Sequence, residues 1–498
     1  MKTILYIPLD ERPCNRILPV RQFSPVNISE ITILTPPLEF LSRKKKEAPY
    51  ELLWKWLREN LKSCYQAVIS IDMLIYGGLL PSRIHHLDEL ELNRRFTRLE
   101  ILLKNITIPV SVFDLIMRTP QYNSSDEEPD YWENWGKRIY KRSTYVHKKK
   151  LHILNDNEVH EFRILENEIP EEFILDYERR RKLNLNITGR IIELYNKGII
   201  DHLIIPQDDS SEFGYTATDR ELIRNIEPLL ISYPGADEVG CTLLCRSALT
   251  IAKEPAKKKV FILYDDKDNR RRKPNYEGMS LEESLMLQIQ SCGAEAVIDQ
   301  KDADLILAVQ TVDKEQKEAW EQHTRLRDIE ILKFFIHSIS TFLESGKSVA
   351  LADVRYSNGG DFTLAQTLIE QNTFFHLTAY GAWNTSGNTI GSVLSRGLIE
   401  INWPHEETRL KNFKNHFIDD LLYQGIVRKK LNDSILSEMG INYFNLMDKS
   451  DAVSSIAKEL LILEIKNLVP HQIFSNENLE SLKVAFPWNR LFEIEIQL

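Results

Sequence analysis

Short apolar runs that end in a turn residue or an acid recur along the chain. Between them lie longer segments with apolar positions three and four apart. TILYIPLD (3–10), ITILTPP (31–37), AVISIDML (67–74), IPVSVFDLI (108–116) and HLIIPQDD (202–209) predict strands in the first half. YPGADEVG (233–240), KKVFILYDD (258–266), ADLILAVQT (303–311), SVALADVRY (348–356) and LTAYGAWN (377–384) continue the series. The runs are rich in Val, Ile and Leu. Stretches such as ESLMLQIQSCGA and RDIEILKFFIHSISTFLESGK fit helices between them, the second closing at a glycine. That alternation predicts βαβ units and a parallel sheet.

The polar residues fall in a regular place. Asp10, Asp72, Asp114, Asp208, Asp209, Asp237, Glu238, Asp265, Asp266, Asp353 and Asn384 all sit near the carboxyl end of a predicted strand. Asp and Asn are also common turn and cap residues, which accounts for some of them. The carboxyl edge of a parallel sheet is where α/β proteins bind ligands. A site fed by most of the strands favours a (β/α)8, TIM-barrel-like domain over an open sheet, which offers one switch-point crevice.

The strand candidates exceed eight, so residues of about 258–345 are read as a βαβ insertion or Rossmann-like lobe. Its loop YDDKDNRRRKPNYEG is charged and holds no GxGxxG. The acid-ended strands stop near residue 401. TRLKNFKNHFIDDLLYQGIV and SSIAKELLILEIKNLV then read as amphipathic helices, with a last strand in LFEIEIQL. The expected organisation is a catalytic domain over 1–400 and a mostly helical region over 401–498.

Composition narrows the partners. The 498 residues carry 63 Lys+Arg against 73 Asp+Glu, a net charge of −10, so neither nucleic acid nor an anionic membrane is the expected partner. No apolar run approaches the ~18 residues of a membrane span. MKTILYIPLDERP is too short for a secretory signal and lacks its small-residue cleavage site, so a cytoplasmic location is expected. Of five cysteines, Cys241 and Cys245 form CTLLC with no second Cys or His cluster nearby, which reads as core packing.

Several loops share one chemical character. IPLDERPCN offers a carboxylate, a guanidinium fork and an amide in Asp10, Arg12 and Asn15, unless Asp10 and Arg12 merely brace the loop. DMLIYGGLLPSRIHH offers Asp72, Tyr76 and Arg83 about a Gly77-Gly78 turn, with His85 and His86 read as a surface pair. FDLIMRTPQYNSSDEEPDYWENWGKRIY combines Asp114 and Arg118 with Tyr131, Trp132 and Trp135, which suit sugar stacking or cover of the rim. RYSNGGDFTLAQ carries Asp353, Arg355, Asn358 and Asp361; AYGAWNTSGNTIGS carries Tyr380, Trp383, Asn384 and Asn388. A polyhydroxylated or amide-bearing ligand matches this lining. In PQDDSSEFG a helix cap needs one acceptor, so adjacent Asp208 and Asp209 point to a catalytic pair in which one carboxyl is raised by the other. HExxH, His-x-His, GxSxG and the P-loop are all missing.

The succession IPLDERPCN, DMLIYGGLLPSRIH, PQDDSSEFG, YPGADEVG, DVRYSNGGD and AYGAWNTSGNT, closing with PWNRLFEI, resembles a bacterial family known only as a domain of unknown function. The Asp208-Asp209 pair also resembles that of the β-N-acetylglucosaminidase family that includes O-GlcNAc hydrolases. That resemblance implies that Asp208 orients an N-acetyl group and Asp209 is the general acid/base. It makes Asp237-Glu238 a rival pair, since other hexosaminidases use adjacent Asp and Glu. The expected function is a glycoside hydrolase acting on a small, N-acetylhexosamine-type carbohydrate, with no cofactor and an open oligomeric state. The alternatives are a divalent-metal-dependent hydrolase, isomerase or lyase with Asp10, Asp72, Asp114 and Asp353 as oxygen ligands, and a non-catalytic sugar or peptidoglycan-fragment sensor.

Overall fold

Most of the Val-, Ile- and Leu-rich runs form strands, and these pair in two five-stranded parallel sheets in place of the single (β/α)8 barrel expected. The computed structural model describes residues 2–23, 31–252, 256–322, 329–469 and 473–498. Met1 of the N-terminal segment, residues 327–328 of the helix expected from Arg327, and residues 470–472 of the C-terminal region lie outside the described residues.

The first compact unit comprises Met1–Glu11, Glu30–Ser247 and Tyr276–Met279. Its strands are β1 (Lys2–Ile7), β2 (Ile31–Leu34), β3 (Gln66–Ser70), β4 (Val110–Phe113) and β5 (His202–Ile204), in the order β2-β1-β3-β4-β5. Ile7 pairs with Ile69, Ser70 with Phe113 and Phe113 with Ile204, so the carboxyl ends lie side by side. Residues 231–234 extend the sheet as isolated bridges beside β5: Ile205 N donates to Ile231 O at 3.0 Å and Gln207 N to Tyr233 O at 2.9 Å. Only this stub of the strand expected over 233–240 forms, and the helix Val239–Ala252 follows.

β3 and β4 are buried along their whole length, as strands covered on both faces must be. The helix Glu89–Lys104 buries Leu92, Phe96, Leu99 and Leu103, a spacing of four, three and four that keeps them on one face. Asp88 caps it by accepting from Glu91 N. Three further helices, Trp132–Lys150, Asp156–Glu168 and Glu171–Asn196, contribute to a smaller core in which Trp132 is 0% exposed and packs on Tyr177. Tyr131 stacks on Phe173 and Trp135 packs against the same cluster. These aromatics therefore serve helix packing, and Trp132 presents no face to a sugar.

The second unit comprises Arg12–Ser29, Ala248–Asn275 and Ser280–Leu498. Its strands are β6 (Lys259–Tyr264), β7 (Glu295–Val297), β8 (Leu305–Gln310), β9 (Val349–Asp353) and β10 (Ala379–Gly381), in the order β10-β9-β8-β6-β7. Counted from its own first strand, this is 2-1-3-4-5, the order of the first sheet too, and a common order of doubly wound α/β sheets. β7 was not expected; it is three residues long with Glu295 exposed, too short and too open to show as an apolar run.

Residues 401–498 share this unit: Phe413, Phe417, Leu421 and Leu461 belong to one core with Leu351, Phe374 and Tyr380. β11 (Lys483–Ala485) and β12 (Glu495–Gln497) pair antiparallel near the end of the chain. An apolar run closed by an acid marks a buried parallel strand and its ligand-facing end, but not its neighbour. Open sheets satisfy that pattern as well as a barrel does. All five cysteines are buried thiols, as expected of CTLLC. Among the described residues no helix is long and apolar enough to cross a membrane.

Candidate functional site

Parallel strands spaced about 4.8 Å apart bring the side chains at their ends within reach of one another. Along the carboxyl edge of the first sheet these are Asp10 after β1, Asp72 after β3, Asp114 after β4, Asp208 and Asp209 after β5, and Asp237 and Glu238 after residues 231–234. Asp10 is buried beside Glu11, whose carboxylate accepts from Ser42 Oγ at 2.6 Å and Lys44 N at 2.5 Å. Asp72 Oδ2 accepts from Leu115 N at 3.1 Å, and Asp114 Oδ2 from Thr188 Oγ1 at 2.6 Å. Burial pushes the Asp72 carboxyl up to about 7, with the charge of Asp208 adding to the effect. Burial and the nearby Asp72 raise Asp114 well above the usual carboxylate range.

The turn after Asp72 needs its two glycines. Gly77 and Gly78 have φ of 87° and 133°, and a Cβ on Gly77 would stand 2.8 Å from Glu47 Cβ. The turn leads into Leu79–Ile84, which carries Arg83 inward. Tyr76 is buried there and stacks on His85 at 5.0 Å. His85 is held by Asn184 at 2.9 Å and its pKa falls to about 4 on burial, while His86 is exposed. The expected surface pair is thus one exposed ring and one partly buried ring.

Arg83 and Arg118 form the centre of the site. Arg83 donates to Asp208 Oδ2, to Glu127 Oε2 at 2.9 Å and to Glu128 Oε1 at 3.3 Å. Arg118 donates to Asp209 Oδ2 at 2.7 Å, Glu128 Oε1 at 2.7 Å, Glu127 Oε2 at 2.9 Å and Tyr122 OH at 3.1 Å. Adjacent Asp208 and Asp209 are thereby drawn to different guanidinium groups. Asp209 achieves this with a left-handed backbone, φ 36°, which aspartate tolerates better than most residues. Burial raises its carboxyl to about 6, with Arg118 pulling it down and Asp208 pushing it up. A quarter of the Asp209 side chain remains exposed, against 11% for Asp208. Among the described residues, Oδ1 of each meets no protein hydrogen-bond donor.

The rival pair is built differently. Gly235, at φ 146°, lets the chain turn so closely over Glu238 that a Cβ there would lie 2.2 Å from Glu238 Oε1. Glu238 Oε2 accepts from Ala236 N at 3.0 Å, and burial drives the carboxyl up to about 8. At 1% exposed, Glu238 is shut away from solvent where Asp209 is not. Its folded-state pKa lies above the unfolded value of about 4.5, so between those values the folded state holds one extra proton and stability falls as pH rises. Wild type is expected to lose about 2 kcal/mol more unfolding free energy than Glu238→Gln between pH 6 and 7.5, at about 1.4 kcal/mol per unit. Urea titrations at the two pH values read this difference, and equal losses would refute it.

The remaining expected residues belong to the second unit. Asp353, at the end of β9, accepts on Oδ2 from Asp361 N at 2.6 Å and Tyr380 OH at 3.4 Å. Asp361 caps the helix Phe362–Glu370 and pairs with Arg355 Nη1 at 3.1 Å. Asn358 donates to Glu318 Oε2 at 2.7 Å and, from its backbone, to Asn384 O at 2.9 Å. Trp383 is 9% exposed and packs on Phe492; Asn388 lies in the first turn of the helix Ser386–Asn402. Arg12 pairs with Glu493 at 3.3 Å and lies over Trp488 at 4.6 Å, and Asn15 Nδ2 contacts Cys14 Sγ at 3.7 Å. Arg12 thus braces the C-terminal segment.

The sequence singles out Asp114, Arg118 and the aromatics of this loop and passes over Glu127 and Glu128. Their only signal was adjacency to Arg118 in one long loop. The four aspartates expected as oxygen ligands divide, with Asp353 in the second unit. Among the described residues no group of three or more His, Cys, Asp or Glu is placed to hold a metal ion. A family model, Protein of unknown function (DUF4127), matches residues 4–497. A search of curated proteins finds no match.

Proposed function

We propose, for a chain that belongs to the DUF4127 family and so inherits no activity from its description, a glycoside hydrolase whose acid pair is Asp208 and Asp209. One observation carries the reading: two adjacent carboxylates are clamped by separate arginines, and the more exposed one has a carboxyl raised to about 6. A general acid works best when its pKa lies near the working pH and it can touch the substrate. Asp209 meets both conditions; Glu238, 1% exposed, does not meet the second.

In the reaction the glycosidic C–O bond breaks as Asp209 delivers its proton to the leaving oxygen. The resulting carboxylate, stabilised by Arg118, then takes a proton from the water that attacks the anomeric carbon. Asp208, ion-paired to Arg83, has Oδ1 for a substrate donor. The likeness to N-acetylglucosaminidases makes that donor an acetamido N–H, whose oxygen attacks the anomeric carbon in the first step. The substrate class is a small N-acetylhexosaminide.

A panel of aryl glycosides that includes N-acetylhexosaminides, each with and without chelator, tests this. Release of the aryl group from an N-acetylhexosaminide, unaffected by chelator, is expected. Cleavage abolished by chelator and restored by a divalent ion would replace the acid-pair mechanism with a metal-dependent one.

A further inference from the structure

The second sheet carries a buried polar pair at its carboxyl edge. β8 and β9 end in Gln310 and Asp353, which are register partners, so their side chains leave the same face of the sheet next to each other. Gln310 is 0% and Asp353 1% exposed. Gln310 Nε2 donates to Asp361 Oδ2 at 2.9 Å, and because that carboxylate oxygen also receives Arg355 Nη1, the amide orientation is fixed with Oε1 turned away. Asp353 Oδ2 is taken by Asp361 N and Tyr380 OH.

What remains are Gln310 Oε1 and Asp353 Oδ1. Among the described residues neither meets a hydrogen-bond partner. Buried acceptors left unpaired cost on the order of 1–3 kcal/mol each, and with Oδ2 already taken the one donor this pair has of its own is a proton on Asp353 Oδ1, which an outside donor can replace. Gln310 ends β8, which with β6 flanks the point at which the order of this sheet reverses, and Asp353 ends the next strand, β9; ligands of doubly wound sheets sit outside the carboxyl ends near that point. At Gly360 the chain passes so close that a Cβ would fall 2.2 Å from Tyr380 OH and 3.0 Å from Asp353 Oδ2, so backbone forms a tight wall there.

We propose that Gln310 and Asp353 bind the ammonium group of a small primary amine. An ammonium offers three donors and no acceptor, which suits two adjacent acceptors, and its charge lets Asp353 ionise. Burial and Asp361 otherwise hold Asp353 protonated, with its carboxyl raised to about 8, while Arg355 and Tyr380 oppose this rise and Tyr356 lies within the same field. Binding at pH 7 therefore releases a proton. This site stands apart from the Asp208–Asp209 reading and survives if no glycoside is cleaved.

Isothermal titration of the full-length protein with ethanolamine and glucosamine, in two buffers of different ionisation enthalpy at pH 7, measures affinity and proton count together. Ethylene glycol and glucose serve as hydroxyl counterparts. At least one amine is expected to bind with release of about one proton per site. Asp353→Asn and Gln310→Leu should each weaken binding about tenfold or more, as should the change from amine to hydroxyl. No amine binding up to about 10 mM, binding without proton release, equal binding of the hydroxyl counterparts, or affinity unchanged in both variants would each overturn the assignment. The proton count is read on wild type, so it decides the matter even where a variant fails to fold.

Discussion

Asp209→Asn is expected to lower kcat/KM for a cleaved N-acetylhexosaminide by about a hundred- to ten-thousand-fold, the usual range for loss of a positioned general acid. Asparagine matches aspartate in size and is among the few residues at ease at φ 36°, so the turn after β5 should survive the change. The carbonyl of Asn still accepts from Arg118 Nη1. What disappears is a titrating proton at the exposed end of the pair. KM should change little, because binding falls to Asp208 and the arginines. A KM rise with unchanged kcat would mean that Asp209 only binds substrate.

Arg118→Met should be the most destabilising single change in the site, by about 3–5 kcal/mol. The cost does not come from the lost hydrogen bonds as such. Glu128 is 0% exposed and takes its shorter contact, 2.7 Å, from Arg118; the longer one, 3.3 Å, comes from Arg83. Removing Arg118 leaves Glu127, Glu128 and Asp209 with one buried guanidinium, Arg83, which already serves Asp208. Removing one partner of a buried network strands charge in a medium that solvates it poorly. Urea unfolding measures the loss, and Arg118→Met combined with Glu128→Gln should recover part of it. A loss below about 1 kcal/mol, the scale of a surface pair, would mean that water reaches the cluster freely.

The carboxyl-edge acids were legible in the sequence because a buried parallel strand is a continuous apolar run, and the first polar residue after it must stand at the edge. Asp72, Asp114, Asp208 and Asp209 follow from that rule. Strand partnership did not follow from it, since Leu5 or Val112 looks the same in a barrel and in an open sheet. Two repeats of the order 2-1-3-4-5 are visible only once pairing is known.

Trp132 reads two ways from sequence for a related reason: an aromatic in a polar loop suits a platform or a packing role alike, until the helix starting at it is seen to bury it. Glu128 illustrates the opposite failure. Its burial depends on arginines 45 and 10 residues away, and local polarity carries no trace of that. Arg12 is the extreme case, paired with a glutamate 481 positions distant.

The central claim is that the proton on Asp209 drives bond cleavage, and the pH dependence of kcat/KM tests it most directly. Wild type should lose kcat/KM tenfold per unit as pH rises beyond about 6, the value to which burial lifts this carboxyl. A kcat/KM that holds level from pH 5 to about 8 would contradict the account, because no acid with that pKa would then be needed in its protonated form.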